Sequence, residues 1–104
     1  MDVVLCKTSD LDEAAIKRFE IMGFDVLAIR LGDRFYAIDS WCTYRYADLK
    51  DGSIDARRLV LVCKDCSGSW DLATGQPKDP PASFPLTVYE TATTGDDLVL
   101  TFTY

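Results

Sequence analysis

The side chains able to do metal or redox chemistry gather in one stretch of the chain: Cys42, Cys63 and Cys66, with Tyr44 two residues after the first. Cys63-Lys64-Asp65-Cys66 has the C-x-x-C spacing shared by metal knuckles and redox-active disulfides, so spacing alone leaves both open. A disulfide between Cys63 and Cys66, or between Cys42 and Cys63, is the thiol reading. Cys6 lies in an apolar run near the start and reads as a small buried side chain. The sequence contains no histidine, which removes Ser-His-Asp and Cys-His catalysis, histidine proton shuttles and histidine-ligated zinc together. A zinc or mononuclear iron site would need Tyr44, an acid such as Asp65, or water as its last ligand. No general base is paired with a nucleophile, and no phosphate-binding glycine loop or dinucleotide fingerprint is present.

Strands must hold these residues. Val3 to Cys6, Ile16 to Ile21, Asp25 to Arg30 and Arg34 to Ile38 read as short strands, with Met22-Gly23 and Leu31-Gly32-Asp33 as hairpin turns. Thr8 to Glu13 could form one helical turn capped by Ser9 or Asp10. Near the C-terminus, Leu98, Leu100, Phe102 and Tyr104 alternate with Val99, Thr101 and Thr103, the two-residue period of a strand with one face inward. Leu86 and Val88 alternate similarly, and Thr94 to Asp97 supplies the turn between the two runs. From about residue 41 to 85 the character changes: three of the four cysteines, all four prolines and three of the six glycines fall there. That segment is the site region. Trp41 and Trp70 are expected to pack beneath or beside its loops, and Tyr44 with Tyr46 could instead plug a cavity. The whole reads as one all-β domain over residues 1–104, a compact antiparallel sandwich or barrel.

The charge balance narrows the partners. Lys and Arg total 11 against 17 Asp and Glu, a net charge of -6, which argues against nucleic-acid binding, since phosphate contacts need a basic face. An acidic surface suits either solubility or steering toward a basic partner. No window approaches the roughly 20 apolar residues needed to span a bilayer, and no basic leader precedes an apolar run. The expected location is the cytoplasm, where clustered thiols point to metal or redox chemistry before structural disulfides.

Cys42-Thr43-Tyr44-Arg45-Tyr46-Ala47-Asp48-Leu49 and the segment Cys63 to Gly75, reading C-K-D-C-S-G-S-W-D-L-A-T-G, resemble the two ligand loops of the Rieske family. That family carries C-x-H, often followed by R-G-A-D-L, on one loop and C-x-x-H-G, often continuing toward F-D-L-A-T-G, on the next. Leu27 to Asp39 resembles the hairpin before the first loop. Asp51-Gly52 with Leu59 to Val62 resembles the approach to the second, and Asp79-Pro80-Pro81-Ala82 with Pro85-Leu86 the covering loop.

The resemblance implies a Rieske-like fold, an antiparallel base with a small inserted cluster-binding subdomain. It also implies a 2Fe-2S cluster, which in the family is held by two cysteines on one iron and two histidines on the other. The cysteine positions match Cys42 and Cys63, while the histidine positions fall on Tyr44 and Cys66. A cluster here would therefore have Cys42 and Cys63 on the buried iron, Cys66 on the exposed iron, and Tyr44, or else Arg45 or water, in the last place. Thiolate and phenolate are anionic where imidazole is neutral, so the potential is expected to fall below the Rieske range. The implied function is an electron carrier that takes electrons from a flavin-dependent reductase and passes them to an oxygenase. It would be a component of an oxidoreductase system with no catalytic cycle of its own. The alternative is a clusterless Rieske-fold subunit or interaction domain, similar to the small subunits of some nitrite reductases.

Overall fold

The computed structural model describes residues 1–102. Ten strands run β1 (Asp2–Lys7), β2 (Ile16–Ile21), β3 (Phe24–Leu31), β4 (Arg34–Asp39), β5 (Ser53–Asp55), β6 (Val60–Val62), β7 (Ser69–Asp71), β8 (Pro77–Asp79), β9 (Val88–Thr94) and β10 (Asp97–Thr101). They form a six-stranded antiparallel sheet in the order β1-β10-β9-β4-β3-β2 and a four-stranded sheet in the order β5-β6-β7-β8. The small sheet is built wholly from the 41–85 segment and is inserted between β4 and β9 of the large one. This is the all-β base with an inserted subdomain that the sequence led us to expect.

The large sheet curls because both of its faces have apolar side chains to bury. In β3, Val26, Leu27, Ala28 and Ile29 are all fully buried. Leu27 and Ile29 face the core shared with the small sheet, where they meet Leu49, Leu61, Trp70, Leu72 and both inner cysteines. Val26 faces the other way, with Ile21 of β2, Leu100 of β10, Phe102 and the half-buried Val3 and Leu5 of β1. Strands from opposite ends of the sheet therefore share one apolar cluster, and only a curled, barrel-like sheet brings them together. The β2–β3 hairpin turns through Met22 and Gly23, at φ 52° and 88°, the doubly left-handed geometry that matches strand twist in a two-residue hairpin.

Several strands extend a residue beyond the sequence reading, as β1, β3 and β4 do, and two segments differ in kind. Thr8–Asp10 forms a 3-10 turn, and its capping contact runs backward, the Asp10 carboxylate accepting the Lys7 amide at 2.9 Å. Leu86 is buried but lies outside β9, because its amide donates to the Gly75 carbonyl at 2.8 Å and not to a neighbouring strand. The C-terminal alternation holds for Leu98, Leu100 and Phe102, all buried, whereas Thr103 and Tyr104 lie outside the described residues. Among the described residues no helix is long and apolar enough to cross a membrane.

Candidate metal centre

Two loops project from the small sheet and its junction with β4, and they are built alike. In the first, the Cys42 amide donates to Ala47 O at 2.9 Å and the Tyr46 amide to Cys42 O at 2.8 Å. In the second, the Cys63 amide donates to Gly68 O at 2.8 Å and the Ser67 amide to Cys63 O at 3.0 Å. Tyr46 and Ser67 occupy the same left-handed corner, at φ 57° and 64°, which returns each chain so that its cysteine faces the other loop. Each loop thereby delivers one fully buried thiol, Cys42 and Cys63, into the apolar core between the sheets.

Cys66 joins them from the rim. The sulfurs of Cys42, Cys63 and Cys66 all lie within 4.8 Å of one another, and Cys42 Sγ stands 3.6 Å from Cys66 Sγ. All four cysteines, Cys6 included, are free thiols. Backbone donors are aimed at the cluster: the Tyr44 amide reaches Cys42 Sγ at 3.4 Å and the Gly68 amide reaches Cys66 Sγ at 3.4 Å. Burial pushes the Cys42 thiol up, but the Arg45 and Tyr44 amides and the neighbouring thiols more than offset it, so its net shift is downward. Burial pushes Cys66 up to about 11, only partly opposed by the Gly68 amide. Of these two thiols, in contact at 3.6 Å, Cys42 is therefore the more readily ionised and Cys66 the less.

Tyr44 sits on the same loop but differently. Its side chain is half exposed and its ring lies 5.4 Å from the Arg45 guanidinium. Tyr46 is 76% exposed, so it does not plug the space between the loops. Asp65 pairs with Arg45 at 3.7 Å. Trp70 is buried beneath the second loop as expected, while Trp41 is 41% exposed beside the first. Cys6 is half-buried in β1 and packs with Leu11, Ala28 and Leu98, remote from the other thiols.

Two devices hold the loops in place. The strap from Pro80 to Pro85 places the Phe84 carbonyl where it accepts both from Thr43 Oγ1 at 2.9 Å and from Trp70 Nε1 at 2.8 Å. Below it, Asp79 accepts from Ser69 Oγ at 2.6 Å and takes the Arg58 guanidinium in a fork, at 2.7 and 3.2 Å. On the other side, Arg18 of β2 donates to Ser40 Oγ at 3.0 Å, pairs with Asp48, and lies 5.0 Å over the Trp41 ring. Asp48 in turn caps a 3-10 turn over Leu49–Asp51 by accepting the Lys50 amide. Sequence reasoning did not find Arg18. Its partners are more than 20 residues away, and a lone arginine in a strand carries no local signal.

The sequence profile of the Rieske 2Fe-2S domain matches residues 1–90. This chain belongs to the Rieske family. It is 36% identical over 87 residues to ferredoxin CarAc of Metapseudomonas resinovorans, a match spanning 83% of this chain and 79% of that one. Its structure superposes on the ferredoxin of carbazole 1,9a-dioxygenase from Nocardioides aromaticivorans with a TM-score of 0.92 at 27% identity, covering 95% of each chain. A second solved relative is the ferredoxin in a complex of reduced oxygenase and oxidized ferredoxin of carbazole 1,9a-dioxygenase. It gives a TM-score of 0.88 at 29% identity, with 95% of this chain and 91% of that one covered.

Family membership implies a 2Fe-2S cluster as the cofactor of this Rieske domain. The donor chemistry present suits iron and sulfide: three thiols converge, and two of them already accept backbone amides, the contacts that stabilise thiolate charge. Cys42 and Cys63 are the two buried thiols of the set, and Cys66 joins them from the rim.

Proposed function

We propose that this protein is the ferredoxin component of an oxygenase system, with Cys42, Cys63, Cys66 and Tyr44 as the residues that hold its 2Fe-2S cluster. When bound, that cluster supplies one-electron transfer. The chain itself supplies a dry inner pocket, amide donors on the sulfurs, and an exposed tip through which a partner can approach. The observation that carries the reading is the convergence of three thiols on two matched loops. A chain with no metal to bind would have little reason to keep them in contact.

The relatives support the direction of transfer, since both solved ones are ferredoxins of carbazole 1,9a-dioxygenase and one was solved in complex with the oxygenase. By analogy the partners here are a reductase and an oxygenase. The exposed rings of Trp41, Tyr44, Tyr46 and Phe84 surround the loop tips and give those partners an apolar contact. The acidic surface, at -6 overall, fits basic docking faces. We read the carrier as cytoplasmic and the whole of residues 1–104 as its functional unit.

The decisive experiment is anaerobic purification with iron and sulfide analysis. Two irons and two sulfides per chain, lost in Cys42→Ser and Cys63→Ser, are the expected result. A colourless protein that cannot be reconstituted would overturn it and leave a clusterless interaction domain.

A further inference from the structure

The sulfurs on opposite irons of a two-iron cluster stand further apart than sulfurs on one iron, because the separation of the two metals is added to their own. In the family's register Cys42 and Cys66 would serve different irons. Yet these two form the tight contact in the structure, at 3.6 Å. Three thiolates at the corners of one tetrahedral zinc, with Zn–S bonds of about 2.3 Å, would stand about 3.8 Å apart. The observed set, with all three sulfurs inside 4.8 Å and one edge at 3.6 Å, has the dimensions of a single-ion site.

We propose that, before or in place of cluster assembly, Cys42, Cys63 and Cys66 bind one thiophilic divalent ion of the Zn2+ class, with an oxygen donor at the fourth corner. This goes beyond the carrier reading. It rests on the same three thiols and not on electron transfer.

Three features favour it. Cys42 and Cys63 are fully buried and Cys66 partly so, and thiols out of water gain more from a metal than from weak S–H contacts with each other. The three donors come from two independent loops locked by the Phe84 carbonyl and by the Arg18–Asp48 pair, so the ordering cost of assembling them is already met by the fold. The ligand type is decisive as well: in the family pattern the rim donors are imidazoles, whereas Cys66 here turns a pair of inner thiols into a three-sulfur set, and soft sulfur selects zinc and its relatives over magnesium or calcium. Two occupants with different demands on the Cys42–Cys66 distance then compete for one site, and the metal available during folding decides which is loaded.

The test is anaerobic titration of the full-length, iron-free protein with Co2+, a coloured stand-in for Zn2+. One equivalent should bind with a thiolate-to-metal charge-transfer band and the intense visible bands of tetrahedral cobalt, and one equivalent of Zn2+ should erase them. Zn2+ should also protect three of the four thiols from a chromogenic disulfide reagent. Cys66→Ser should weaken binding by at least about tenfold, while Cys6→Ser leaves it unchanged. Pale octahedral spectra, or no thiol protection by Zn2+, would overturn the proposal on the unmutated protein, whatever the folding of the variants. Reconstitution of a parallel sample with iron and sulfide reports on the carrier reading separately, so either conclusion can fail while the other stands.

Discussion

At the scale of single residues, the chemistry turns on Tyr44 and Cys66, which in the proposed ligand set take the places of two imidazoles. Both are anionic donors when they bind a metal, so a cluster held here should be harder to reduce. Its midpoint is expected below the Rieske range of roughly -150 to +300 mV and toward the value near about -400 mV of plant-type ferredoxins. Protein-film voltammetry on the reconstituted protein measures this directly. The double change Tyr44→His with Cys66→His should return the midpoint to the Rieske range and restore a pH-dependent wave, because imidazole ionises near neutrality and phenol and thiol do not. Asp48 gives a second residue-level test. The hydrogen bond and charge of Arg18 hold its carboxyl below the usual range, helped by the Lys50 amide and opposed by partial burial. A carboxyl with a depressed folded value stabilises the protein fully above its unfolded pKa, near about 3.9, and loses that contribution as pH falls through the folded value. Asp48→Asn keeps an acceptor for the Lys50 amide but loses the charge facing Arg18, and should therefore be less stable than the parent by about 0.5–1 kcal/mol at neutral pH. In urea titrations the difference should shrink as pH drops below about 4.

Among the elements, the strands were legible because their apolar residues repeat at intervals of two, as at Leu98, Leu100 and Phe102, which the structure buries. Ile16–Ile21 was readable to the residue. The small sheet was not: β5 and β8 have three residues each, too few for any period to show. The two ligand loops could be placed from their residue types. Their shared geometry could not, since nothing in Tyr46 or Ser67 announces a left-handed corner. Tyr44 marks the limit at the site. The sequence resemblance reads it as a ligand, whereas its half-exposed ring lies beside the Arg45 guanidinium, a side-chain direction that order in the chain does not fix. Gly75 tests how the second loop is joined to the strap. It sits at φ 80°, and a Cβ there would come within 1.9 Å of the Leu86 carbonyl oxygen. Gly75→Ala should cost more than about 1 kcal/mol in denaturant unfolding, since both the backbone conformation and the close approach exclude a side chain.

For the molecule as a whole, a charge of -6 makes association with a basic partner dependent on ionic strength. The rate of electron delivery to a partner oxygenase should fall steeply with added salt while the cluster's spectrum stays constant; a rate indifferent to salt would place recognition in the exposed aromatic rim alone. The strap adds a property that belongs to the assembly and to none of its parts. One oxygen atom, that of Phe84, serves a donor from the first ligand loop and another from the indole beneath the second. Lifting the strap releases both donors in the same event, so the pocket should behave as a latch with a single catch. Exchange of the Trp70 Nε1 proton, which that oxygen holds, should then follow the opening of the strap, and Thr43→Val, which removes the other donor, should speed it.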